Sequence, residues 1–140
     1  MEELFALRQS ISSGDYAKAL SIVDGMEAMS QEDKLEKMYS YAVILLLHLI
    51  KQEAEARTTK SRTVSIKNYR EKINRINKRR KSSGYYAQKE ELVEIIDDAF
   101  APALRTASLE AFEGSLNEQE ISEQINVEAI KGRALEMLDW

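Results

Sequence analysis

Between Met38 and Ile50 the chain reads Met-Tyr-Ser-Tyr-Ala-Val-Ile-Leu-Leu-Leu-His-Leu-Ile, thirteen residues of which only Ser40 and His48 are polar. A helix on a protein surface keeps its apolar residues on one stripe. Here Leu45, Leu46 and Leu47 point in three directions about 100° apart. Such a rod must be enclosed on most sides or inserted in a bilayer. Spanning takes about 20 apolar residues, and Glu36, Lys37, Lys51 and Glu53 fence this run in. It is therefore expected to be a core helix that other helices wrap.

The start of that helix is expected near Gln31, with Ser30 as N-cap and Asp33 three residues on. Its end falls near Ala56, before Thr58, Thr59 and Ser61, whose hydroxyls compete for the backbone. Upstream, residues 2 to 13 form a short helix with Leu4, Leu7 and Ile11 on one face, closed by Gly14. Asp15 caps a second helix carrying Tyr16, Leu20, Val23, Met26 and Met29. The stretch from Gly14 to Leu20 resembles the hinge of a tetratricopeptide repeat, but no copy recurs about 34 residues on. An ordinary helical hairpin over 1–29 is the expectation.

Downstream, Ile66, Tyr69, Ile73 and Ile76 make a narrow apolar seam on a helix over about 64–82, ended by Gly84. Leu92, Ile95, Ile96, Ala99, Phe100, Ala103, Leu104 and Ala107 make a broader face over 88–112, where Pro102 predicts a kink or break near Phe100. Gly114 ends that region. A short helical turn fits 115–126, and Asn126 caps a last helix carrying Ile130, Ala134, Leu135 and Leu138. Tyr85-Tyr86 is too short for a strand. With one proline and five glycines the turns of a β-sandwich are missing. The fold class is all-α: a small helical bundle built on two long antiparallel helices, 31–56 and 64–82, with shorter helices packed on it. At 140 residues this suits one domain, with the hairpin 1–29 leading into a core over 30–138. The content of 44% hydrophobic and 31% charged residues excludes general disorder.

At Ser40-Tyr41, Leu46-Leu47-His48-Leu49-Ile50-Lys51, then Arg57, Arg62, Ser65-Ile66, Arg70 and Ile73, the chain resembles domain-of-unknown-function family 29. That family has a central helix of the form Ser-Tyr-Leu-x-x-Leu-Leu-x-His-Leu-Leu-Lys, followed by a basic helix. The stretch from Ala99 to Arg105 resembles its Ala-x-x-x-Ala-Arg region. The likeness covers roughly residues 15 to 138. Gln52 and Val64 stand where the family often has Trp, and Met1 to Ser13 replace its usual N-terminal segment. The resemblance implies a small all-helical fold and carries no catalytic residues over.

Charge is strongly segregated. From Arg57 to Lys81 there are eleven basic residues and one acid, Glu71, a formal +10 against a chain total of −4, so the remainder carries −14. Lys67, Arg70, Lys72, Arg75, Lys78, Arg79, Arg80 and Lys81 are the candidate nucleic-acid-binding residues. Asn74 and Asn77 are expected on the same side as donors, and Tyr85 and Tyr86 as stacking platforms. The competing reading pairs this helix with Glu90, Glu91, Glu94, Asp97 and Asp98, and a pI near 5.2 favours that reading over nucleic acid.

His48 is the only histidine. His48-Leu-Ile-Lys51 fits the core of histidine phosphotransfer domains, but Leu47, Leu49 and Ile50 surround the ring, and a neutral, hydrogen-bonded core histidine is expected. Without cysteine there are no disulfides, thiolate metal sites or cysteine nucleophile. Leu45 stands where a Glu-x-x-His metal pair would need its carboxylate, and no nucleophile elbow or phosphate-cradling loop is present. No catalytic residue, metal or cofactor is expected, and an enzyme reading, histidine phosphotransfer at His48 or metal-dependent hydrolysis, ranks last. The acidic run 90–98 reads as a solvated face. The N-terminus lacks the pattern of a signal peptide, so a cytoplasmic protein without membrane contact is expected. The expected function is a non-catalytic interaction module that associates as a homodimer or with a protein partner. Nucleic-acid binding through Arg57–Lys81 is the alternative.

Overall fold

The stretch Met38–Ile50 is enclosed as its composition requires. Met38, Ala42, Leu45, Leu46, Leu47, Leu49 and Ile50 are all buried, and Tyr39, Tyr41 and Val43 pack at the edge of the same core. The computed structural model describes residues 2–80 and 83–140. Among these there are six α-helices: α1 (Glu2–Ser12), α2 (Tyr16–Ala54), α3 (Lys60–Asn77), α4 (Lys89–Glu110), α5 (Glu118–Glu123) and α6 (Val127–Glu136). A 3₁₀ turn, Ala111–Gly114, follows α4. No strand forms among the described residues; Lys78 and Tyr85 make one isolated antiparallel bridge. No described helix is long and apolar enough to cross a membrane.

The contacts divide the chain into two compact units, Met1–Lys34 and Leu35–Trp140. The first holds α1 and the opening turns of α2. The link between them closes α1 by a Schellman pattern: Asp15 N–H donates to Ser10 O at 2.8 Å, Gly14 N–H to Ile11 O at 3.1 Å, and Gly14 sits at φ 78°. Asp15 then caps α2, its carboxylate accepting from Lys18 N–H at 3.2 Å.

One expectation fails here. Ser30 does not start a helix; α2 runs unbroken from Tyr16 to Ala54. Nothing between residues 16 and 54 stops a helix. There is no proline, and Gly25 costs only about 1 kcal/mol relative to alanine. A good N-cap residue is thus also tolerated in mid-helix. Further on, side-chain caps do open the helices. Thr59 accepts from Arg62 N–H at 3.1 Å and opens α3 one turn earlier than Val64. Asn117 and Asn126 cap α5 and α6.

In the second unit α3 runs back along α2. Arg62 at its start pairs with Glu55 at the end of α2, while Tyr69 further along packs on Tyr41 with centroids 5.9 Å apart. α4 closes the core with Leu92, Ile96, Ala99, Phe100, Ala103 and Ala107 buried; Ile121, Ile130, Ala134 and Leu138 complete it. Pro102 does not break α4. The carbonyl deprived of its partner belongs to Asp98, an exposed residue, and water can take that bond.

Asn74 and Asn77 are not surface donors. Asn77 is fully buried. Its Nδ2 donates to Ala87 O and Asp139 O, both at 3.1 Å, and its Oδ1 accepts from Ala87 N–H at 2.7 Å. Asn74 donates to Met137 O at 3.1 Å and accepts from Asp139 N–H at 2.9 Å. The two amides tie α3 to the segment before α4 and to the chain end after α6. Removing one leaves several buried backbone groups unpaired.

Two outcomes are predicted. Asn77→Ala lowers stability by about 3 kcal/mol, from lost bonds and orphaned backbone groups, seen as a melting temperature roughly 10 °C lower; an unchanged melting curve would contradict this clasp. Ala56, which ends α2 in the left-handed region at φ 52°, gains from glycine: Ala56→Gly raises stability by about 1 kcal/mol, measured by urea denaturation.

Candidate functional site

The face of α3 that carries charge is set by the face that does not. Ile73 and Asn77 are buried, and Ile66, Tyr69 and Ile76 pack half-buried beside the core. At about 100° per residue, this leaves Lys60, Lys67, Glu71, Arg75 and Lys78 on the opposite side, with Arg70 and Lys72 on its flanks. All of these are exposed, as are Arg79 and Arg80 beyond the helix end. Of the sequence-predicted site residues, Lys67, Arg70, Lys72, Arg75, Lys78, Arg79 and Arg80 thus lie at the surface, and Lys81 lies outside the described residues.

Two of these cations rest on rings. Lys72 Nζ sits 4.5 Å from the centroid of Tyr69 and 5.5 Å from that of Tyr41. Arg79 lies 4.9 Å above the ring of Tyr86. Each contact contributes about 0.5–1 kcal/mol at an exposed site and fixes the direction of a long side chain. Tyr85 and Tyr86 are half-buried, so Tyr86 supports an arginine rather than standing free.

The acidic stretch of α4 spends its charge elsewhere. Asp97 pairs with Lys131 of α6 at 3.2 Å, and Glu91 accepts from the Gln88 N–H that opens α4 at 3.4 Å. Glu91, Glu94 and Asp98 line a groove of about 430 Å³ with Glu36 and Tyr39. Among the described residues, no ion pair joins the basic residues from 67 to 80 to a carboxylate. Nor do three or more carboxylate or imidazole groups converge there as they would around a metal ion.

A second polar cluster gathers where α2, α3 and the turn after α4 meet. Glu55 accepts from Arg62 and, at 3.3 Å, from Phe112 N–H; Lys51 pairs with Glu110 at 3.0 Å. Phe112 and Glu113 both adopt left-handed backbone, at φ 50° and 57°. Burial alone would push the Glu55 carboxyl up, but the bonds from Arg62 and Phe112, with the charges of Arg62 and Arg57, hold it below its ordinary value of 4.5. Sequence reading missed Glu55, because its partners come from two separate elements, α3 and the turn after α4.

His48 lies one turn before this cluster and departs from expectation. The ring is half-buried, and its Nδ1 is enclosed with no hydrogen-bond partner among the described residues. Nor has the Oε1 of Gln52, one turn on, a partner there. Burial first, then the charge of Lys51, pushes the His48 pKa below 6.5; Glu110 opposes this and Arg62 adds to it.

The unfolded chain takes up a proton near pH 6.5, which the folded imidazole resists, so His48 supports the fold fully above 6.5 and less as pH falls below it. Chemical denaturation at a series of pH values should show that decline, and His48→Gln should remove it; an identical decline in the variant would rule His48 out as its source.

The family described as Domain of unknown function DUF29 matches residues 15–131. No curated protein and no solved structure matches the chain.

Proposed function

This chain belongs to the DUF29 family, and we propose that it is a non-catalytic interaction module whose working surface is the basic face of α3, fitted to the phosphate backbone of a nucleic acid. One observation carries the reading. Arg70, Arg75, Lys78 and Arg80 are exposed on one helix and the turn after it, and no described carboxylate is paired with them. Cations aligned along a helix suit phosphates, whose charges repeat at short intervals. Lys72 and Arg79, steadied over Tyr69 and Tyr86, extend the row. Charge alone matches these cations to phosphates, and phosphates carry no sequence information. Contact is therefore with the backbone and tolerant of sequence.

The acidic balance of the whole chain limits the attraction to short range, so salt should abolish it readily. The test is fluorescence anisotropy with a labelled single strand and a duplex over a salt series. Affinity should fall linearly on logarithmic axes, and Arg75→Glu with Lys78→Glu should weaken binding at least about tenfold and flatten the slope by roughly two. Absence of binding at low salt would end the proposal. So would capture by polyglutamate without capture by nucleic acid, which would point to an acidic protein partner.

A further inference from the structure

The N-terminal unit keeps little of its apolar surface to itself. Its closely covered side chains are small, Ser10 on α1 and Ala19 on α2. Taking those two as the facing positions of the hairpin, about 100° per residue brings Leu4, Leu7 and Ile11 of α1 to the same side as Tyr16, Leu20 and Val23 of α2. Leu4 is 43% exposed, Ile11 52%, Tyr16 66% and Leu20 65%; Leu7 and Val23 are half-buried. One side of the hairpin is thus an apolar stripe drawn from both helices.

We propose that this stripe is the self-association surface of the protein, where the hairpin of a second copy stacks to close a four-helix layer. Two helices side by side give each only one neighbour and leave such a stripe in water. A second, two-fold related hairpin gives every helix two neighbours and buries both stripes at once. The stripe exposes on the order of 500 Å² per copy, at the upper end of what monomers leave uncovered, and two copies reach the roughly 1,000 Å² of a specific interface. The rim fits the same occupant. Arg8 borders the stripe on α1 and Asp24 on α2, both exposed. A two-fold axis that lays α1 over the second copy's α2 brings opposite charges to the same edge.

The inference stands apart from the α3 reading, because no residue is shared. Sedimentation velocity on the full chain across the micromolar range should show a dimer. Leu20→Glu should raise the dissociation constant at least a hundredfold while helical circular dichroism is retained, and Lys72→Glu should leave the dimer intact. The chain has no cysteine, so single-cysteine variants give an independent readout, even if Leu20→Glu disturbs folding. Under mild oxidation Tyr16→Cys should yield covalent dimers and Lys72→Cys should not. A natural chain that stays monomeric throughout, a Leu20→Glu variant that dimerises like the natural protein, or cross-linking no better at 16 than at 72 would each overturn the assignment.

Discussion

The enclosure of Met38–Ile50 is the constraint on which the second unit depends. Each large side chain fully withdrawn from water there contributes about 2 kcal/mol, but only if every direction around the helix is covered. One neighbouring helix cannot do that. α3 covers one flank through Ile66, Tyr69 and Ile73, while α4 presents Ala99, Ala103 and Ala107, small residues that let two helices approach closely. The remaining gap is filled by single residues from short elements, Ala111, Ile121, Ile130, Ala134 and Leu138. Helices of six and ten residues, as α5 and α6 are, are too short to persist alone. They hold because the central rod rewards their burial.

Polar groups then fix what apolar packing leaves loose. Hydrophobic contact has little directional preference, and a short helix can slide on a smooth core. Asn74 and Asn77 remove that freedom by matching donor and acceptor to backbone groups at 87, 137 and 139. Glu55 does the same at the other end of α3, holding Arg62 and the left-handed turn at Phe112. With its inner face committed to these contacts, α3 has only one direction left for its lysines and arginines. The basic surface is in that sense a by-product of how the core is fastened.

Much of this was legible from the residues alone. The all-round apolar run predicted a wrapped helix, the seam at Ile66, Tyr69, Ile73 and Ile76 predicted the inner face of α3, and Asn126 predicted the start of α6. These follow from side-chain chemistry repeated at helical spacing, which needs no knowledge of distant neighbours. Ser30 misled, and Pro102 did not break α4, because local stop signals are weak beside a long run of residues that favour helix. The candidate basic residues were legible as a composition, but whether the acids of 90–98 covered them was not.

The sequence by itself determined that the chain is helical, that its centre is buried, and that its charges are segregated. Only the tertiary structure decided that Asn74 and Asn77 are internal clasps, that Glu55 joins α3 to the turn after α4, and that Asp97 turns to Lys131 rather than to α3. The physical reason is one of range. Periodicity is set by neighbours a few positions away along the chain, whereas a hydrogen bond or ion pair is set by groups such as 77 and 139, or 97 and 131, that come within about 3 Å only after the helices have packed.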